Sequence, residues 1–245
     1  MKKNTMKYFD PEKFNKLAEE RHNEYVNASP FAHTVLFDLF DNNILQKMHD
    51  EFPAMEKYMA GKNNRTTLQK LSFRQPEKLS LFEPTIQEFS QELNSKEFCV
   101  FLEKLTGIEN LQSDTYLEGG GPHEIRRGGF LKMHVDFNIH PITNLDRRIN
   151  VLIYLNDDWQ DEYGGNLDLW DTEMGGLKKS VPPRKNTTVI FNTTNHSWHG
   201  HPDPLNCPDN RVRRSLAFYY YTMPVAGIRR KGHSTIYKAR QQDNF

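Results

Sequence analysis

The chain has 245 residues, 32 of them basic and 32 acidic, so its formal net charge is zero; 36% are hydrophobic. That length suits one large domain, or one domain with a helical annex. The balanced charge lacks the basic excess of a nucleic-acid binder, and no stretch approaches the roughly 18 apolar residues of a membrane span.

Only two cysteines occur, Cys99 and Cys207, too few and too far apart for a disulfide framework. The first residues, MKKNTMKYFDPEKF, are basic but lack the apolar run of a signal peptide. The expectation is a soluble protein of a reducing cytoplasm.

The first half reads as helical. Asp10-Pro11 is an N-cap followed by a first-turn proline, and Phe14, Leu17, Ala18 and Tyr25 recur near helical spacing. Asp41 caps a second helix with Ile44, Leu45, Met48 and Phe52 on one face. Ser95 opens another, whose stripe of Phe98, Phe101, Leu102 and Leu105 ends at Gly107. These stripes read as core packing. The polar, basic stretch 57–78 reads as a loop, either near a substrate entrance or a plain connection.

From about Thr115 the texture changes to short apolar and aromatic runs at 130–135, 149–155, 166–170, 187–191 and 215–221. Glycine or proline clusters separate them. Several short strands with turn signals at fairly regular intervals indicate a sandwich or barrel. The tail from Arg229 to Arg240 is basic and reads as a solvated surface.

Residues two apart on a strand project to the same side, so His134 and Asp136 point together while Val135 faces away. A third ligand has to come from another strand. His196, His199 and His201, in NHSWHGHPDP just after the run ending at Phe191, are the candidates. Two imidazoles and one carboxylate suit a non-haem Fe(II) that keeps coordination positions open; they also suit a catalytic zinc. The bland alternative is a set of ordinary polar strand and loop residues. On the last strand, Arg213, Ser215, Ala217 and Tyr219 share one face, and Arg214, Leu216 and Phe218 share the other. A buried arginine there would suit a ligand carboxylate, because its planar fork grips both oxygens.

Five motifs in order, GGFLKMHVDF, RRINVLIYLNDDW, YGGNLDLWD, a VPP segment leading to TVIFNTTNHSWHGHP, and RVRRSLAFYYY, resemble the Fe(II)/2-oxoglutarate-dependent dioxygenases, in their prolyl 4-hydroxylase-like branch. The resemblance covers 119–222. It implies an α+β fold in which a double-stranded β-helix (a jelly-roll, cupin-like barrel) is supported by an N-terminal helical layer. The whole chain, 1–245, is then one dioxygenase domain: helical support over 1–110, a catalytic jelly-roll core over 111–225, and a basic C-terminal tail over 226–245.

Residue by residue, the resemblance implies His134, Asp136 and His199 as the iron ligands and catalytic centre, with His196 and His201 as alternates for the third position. Arg213, Tyr154 and Ser215 fall where the family binds 2-oxoglutarate. The long HPDPLNCPDN connection leaves Arg214 as the alternative register for Arg213. His123 stands where many relatives have a tyrosine; it faces the cosubstrate or the substrate.

The implied chemistry uses Fe(II), 2-oxoglutarate and O2, with ascorbate as a candidate supporting reductant. It hydroxylates an unactivated C–H and releases succinate and CO2. A carboxylate at Asp136 favours hydroxylation over halogenation, while desaturation and cyclisation stay open. The implied substrate is a prolyl residue in a peptide or protein, or a proline-like small molecule, with no nucleic acid or membrane partner. The aromatic run 218–221, with Trp159, Trp170 and Trp198, could line its pocket or belong to the core. Two other readings stand beside this one: a non-catalytic jelly-roll module that binds a ligand or peptide, and a zinc hydrolase on a similar barrel.

Overall fold

The structure is a computed structural model, and it describes residues 6–53, 78–228, 230–241 and 243. The stretch 57–77, read above as a loop, lies outside the described residues. Three of the four helices among the described residues form where the caps and stripes indicate. In α1 (Pro11–Val26) the Asp10 carboxylate accepts from the backbone N–H groups of Glu12 and Lys13, satisfying donors that the first turn leaves unpaired. Asp41 does the same for α2 (Asn42–Asp50), and Ser95 accepts from Phe98 at the start of α4 (Lys96–Thr106). Gly107 closes α4 in the left-handed region, at φ 73°, where a side chain is disfavoured. The helix α3 (Pro84–Leu93) completes the layer.

Eleven strands follow among the described residues. One sheet has β1 (His33–Phe37), β8 (Thr187–Asn192), β5 (Asp146–Tyr154) and β10 (Arg213–Thr222) in that order. Both β2 (Gln112–Ser113) and β3 (Gly121–Ile125) pair with the free edge of β10. The other sheet runs β11 (Ile236–Tyr237), β4 (Leu131–Val135), β9 (His199–His201), β6 (Leu167–Trp170) and β7 (Leu177–Val181). Every pairing between these strands is antiparallel. The two sheets face each other as the expected double-stranded β-helix with its helical layer, and among the described residues they do not close into a barrel.

The large sheet has two unlike faces, because alternation along β5 and β10 sorts their side chains. Ile149, Val151, Ile153, Leu216, Phe218 and Tyr220 turn outward and join Phe14, Phe89, Phe98 and Phe101 from the helices in one core. Asn150, Leu152, Tyr154, Arg213, Ser215 and Tyr219 turn inward and line a cleft between the sheets. The helical layer thus fixes the back of the sheet whose front carries the polar residues.

Candidate active site

At one end of the cleft, His134 near the end of β4, Asp136 just beyond it, and His199 at the start of β9 come together. One ligand atom from each lies within 4.8 Å of the others. β4 and β9 are neighbours with His134 directly opposite His199, which sets their rings 4.3 Å apart. The close approach of these strands depends on Gly200: a Cβ there would lie 2.8 Å from the Leu131 carbonyl oxygen and 2.9 Å from that of Lys132.

The tautomers follow from the hydrogen bonds. His134 Nδ1 lies 2.8 Å from the Lys132 carbonyl and His199 Nδ1 lies 2.9 Å from that of Ser197. A carbonyl can only accept, so both Nδ1 atoms carry a proton, which leaves Nε2 of each ring as the atom available to a metal. Those Nε2 atoms face the carboxylate: His134 Nε2 is 3.7 Å from Asp136 Oδ1 and His199 Nε2 is 3.4 Å from Oδ2. Two imidazoles and a carboxylate turned toward one point are a donor set that fits a divalent transition metal.

Behind Asp136 stands a polar pair that the sequence reading missed. Asn150 Nδ2 donates to Asp136 Oδ2 at 2.8 Å, and Arg147 lies 3.1 Å from the same oxygen. Arg147 also donates to Asn150 Oδ1 at 3.1 and 2.7 Å, and its guanidinium stacks 3.5 Å from the centre of the Tyr219 ring. Alternation alone would put Arg147 and Asn150 on opposite faces. The register between β5 and β10 shifts at Tyr220/Tyr221, where Arg147 rather than Arg148 is paired with Tyr221, and such a bulge re-aims a side chain. Asn150 left a readable signal, as a lone polar residue on the inward face of an apolar strand. Arg147 left none.

At the other end of the cleft Arg213 is buried. Its Nε donates to the Gly165 carbonyl at 2.7 Å and a terminal nitrogen donates to the Tyr154 hydroxyl at 3.2 Å. Burial pushes the Tyr154 pKa up, Arg213 offsetting part of the effect, so the phenol remains a neutral donor near pH 7. Gly165 has φ +75°, and a Cβ on it would meet Leu205 Cδ2 at 2.4 Å and Arg213 Cδ at 3.0 Å; the second glycine of YGGN is what lets the arginine lie here. Arg214 points the other way. It donates to Glu124 at 3.0 Å and to the His49 carbonyl at 3.1 Å, and it sits over Phe52.

Ser215, His123 and His201 also line the cleft, with Ser215 paired to Tyr154 on one side and to His123 on the other. His123 Nε2 donates to the Gly119 carbonyl at 3.0 Å. Ile125, Leu131, Leu152 and Leu167 supply apolar wall. The free space in the cleft, open solvent at its mouth included, is about 510 Å³. His196 is exposed and outside the cleft. Of the aromatic residues considered for a pocket, Tyr219 lines the cleft and the three tryptophans do not. Trp159 packs with Ile125, Leu205 and Cys207, and Trp198 bonds the Thr172 carbonyl.

Residues 120–221 match the model of the 2OG-Fe(II) oxygenase superfamily. No curated protein matches the chain. Among solved structures, the chain is similar to a prolyl 4-hydroxylase of Phytophthora capsici, at 17% identity and TM-score 0.59 over 90% of this chain and 69% of that one. It is also similar to the prolyl hydroxylase of Trichoplax adhaerens solved with a hypoxia-inducible-factor peptide fragment, at 14% identity and TM-score 0.58 over 86% and 91%. A third is HygX of Streptomyces hygroscopicus with nickel and 2-oxoglutarate bound, at 13% identity and TM-score 0.53 over 83% and 86%. At these identities the likeness is one of fold.

Proposed function

Because residues 120–221 match the 2OG-Fe(II) oxygenase superfamily model, we propose that this protein is an Fe(II)/2-oxoglutarate-dependent hydroxylase acting on a prolyl residue of a peptide or protein, or on a proline-like small molecule. The observation that carries the proposal is one cleft with two ends. His134, Asp136 and His199 offer a metal-binding face, and Arg213 with Tyr154 offers a buried clamp for a carboxylate.

In this reading Nε2 of His134, Nε2 of His199 and the Asp136 carboxylate hold Fe(II), and three ligands leave positions open for reactants. Arg213 and the Tyr154 hydroxyl bind the far carboxylate of 2-oxoglutarate; buried without partners, that charge would cost several kcal/mol. Ser215 lies beside them as a further hydroxyl. The apolar wall of Ile125, Leu152 and Leu167 packs against the methylenes between the two carboxylates and keeps water from them. Asn150 and Arg147 hold the Asp136 carboxylate in place. Bound Fe(II) supplies the oxygen chemistry, in which O2 and 2-oxoglutarate give succinate, CO2 and one oxygen atom inserted into a C–H bond of the substrate.

The prolyl assignment draws on the prolyl hydroxylases among the similar folds, one of them solved with a peptide. A cytoplasmic location belongs to the same proposal and rests on cysteine usage, with Cys99 and Cys207 both free and buried; among the described residues no helix is long and apolar enough to cross a membrane. The test is incubation with Fe(II), 2-oxoglutarate and air alongside a library of proline-containing peptides, free proline and related amino acids. Products are read by mass spectrometry and succinate is quantified. The proposal expects succinate release coupled to gain of one oxygen on a proline ring. Oxygen appearing on another residue type would overturn the prolyl assignment, and succinate no higher than in Asp136→Ala would overturn the oxygenase reading.

A further inference from the structure

The segment after β10 lies beyond the superfamily match, and in the sequence it reads as a solvated basic tail. Instead it returns to the metal-binding sheet. β11 pairs with β4, setting Ile236 opposite Val135 and Tyr237 opposite His134, and the Lys238 backbone N–H donates to the Met133 carbonyl at 2.9 Å. β4 in turn sets His134 opposite His199, and β9 sets His199 opposite Leu169. Residues directly opposite in neighbouring strands share a face, so Tyr237, His134, His199 and Leu169 form one row across the sheet. Leu169 is fully buried within that row, and Tyr237, 47% exposed, is its end on β11.

The Tyr237 ring centre lies 5.5 Å from that of His134, with 38° between the planes. The Nδ1 bond to Lys132 fixes one atom of the imidazole, and the ring can still pivot about that bond. The His199 ring flanks it from β9 at 4.3 Å, and the Tyr237 ring flanks it from β11. The segment is also anchored well away from β11. Arg240, nearly buried, bridges Asp203 and Asp243 at 2.7 Å each, Arg230 pairs with Asp146 at 2.7 Å, and His233 bonds Asn195 at 2.9 Å.

We propose that this C-terminal segment is a strap belonging to the metal site, and that Tyr237 is a positioning residue that sets the plane of the His134 imidazole. The proposal rests on the reading of His134, Asp136 and His199 as metal ligands. It acts on the geometry of the donor set and needs no knowledge of the substrate.

The test uses the full chain. Mn(II) affinity is measured from the EPR signal of the free ion, the visible absorption of the Co(II)-loaded protein reports ligand geometry, and thermal melting of the metal-free protein reports stability. Tyr237→Phe should match the parent in all three. Tyr237→Ala, and Tyr237→Leu as a variant that keeps apolar bulk, should weaken Mn(II) binding about 2- to 12-fold, the usual reach of an aromatic contact, and should change the Co(II) spectrum. Arg240→Ala, which frees the far anchor, should move affinity in the same direction by less. Lower melting temperatures with unchanged Mn(II) affinity and Co(II) spectra would overturn the strap proposal alone. Parent and His134→Ala proteins binding Mn(II) equally would overturn the ligand assignment beneath it.

Discussion

Replacing Arg213 by alanine, beside Arg214→Ala, separates two adjacent arginines that lie on opposite faces of β10. Arg213 faces the cleft, gripped by the Gly165 carbonyl and the Tyr154 hydroxyl, while Arg214 faces the helices and pairs with Glu124. A hydrogen bond to a charged group contributes about 1.5–3 kcal/mol, and each 1.4 kcal/mol is tenfold in affinity. Arg213→Ala should therefore weaken 2-oxoglutarate binding about 10- to 150-fold, with metal affinity nearly unchanged because the ligands sit at the other end of the cleft. Arg213→Lys should recover only part of the loss, since an ammonium cannot form the two-pronged contact.

Arg214→Ala should bind 2-oxoglutarate like the parent. It removes one partner of the nearly buried Glu124, which keeps Arg126 at 3.1 Å. A cost of roughly 1–2 kcal/mol in stability follows, between the values for exposed and for fully buried pairs. Isothermal titration of 2-oxoglutarate into the Mn(II)-loaded proteins reads the first effect and urea denaturation the second. Parent-like affinity in Arg213→Ala with loss in Arg214→Ala would refute the assignment of the clamp.

Three further outcomes follow from the same geometry. Gly165→Ala should strain the backbone at φ +75° and drive a methyl into Leu205 and Arg213; the left-handed region alone costs about 1–2 kcal/mol, so both melting temperature and 2-oxoglutarate affinity should fall, and an unchanged affinity would show that Arg213 is not held from Gly165. Asn150→Ala removes the 2.8 Å bond to Asp136 and should weaken Mn(II) binding about 10- to 100-fold, whereas a parent-like titration would free Asp136 from that support. Burial, followed by the Glu103 charge, pushes the Cys99 thiol up to about 11, and burial also raises Cys207. Both should ignore Ellman's reagent at pH 8 until denaturant is added, and rapid labelling of the native protein would contradict their burial.

Helix ends and sheet faces were the legible part of the fold. Asp10, Asp41, Ser95 and Gly107 mark helix boundaries through local chemistry, and the alternation of 149–155 and 215–221 reports one apolar and one polar face. Strands without such a signal were missed. β3 is GPHEI, which reads as a turn; β7 is LKKSV, exposed at its first four positions; β9 is three residues long; and β11 lies in what reads as a solvated tail. Their pairing comes from partners distant in sequence, which no local pattern encodes. α3 and β1 also went unassigned: α3 has Pro84 in its first turn, but its N-cap Glu83 makes no side-chain cap bond, and β1 is only five residues long.

In the cleft, the i, i+2 spacing of His134 and Asp136 and the face-sharing of Arg213 with Ser215 could be read directly. The choice among His196, His199 and His201 could not be made from spacing. It is the His134–His199 register that brings residue 199 to the metal-binding group, leaves His196 exposed, and puts His201 further along the cleft wall. Arg147 reaches the cleft through a bulge whose position depends on β10, and Tyr237 arrives from the far end of the chain.

The most direct measurement is an anaerobic titration of Fe(II)-loaded protein with 2-oxoglutarate, following the visible charge-transfer absorption that appears when a 2-oxo acid chelates ferrous iron. One equivalent of each should saturate the signal in the parent. The signal should vanish in Asp136→Ala and require far more 2-oxoglutarate in Arg213→Ala. An absorption that fails to develop in the parent, or that survives unchanged in both variants, would contradict a single cleft holding metal at one end and carboxylate at the other.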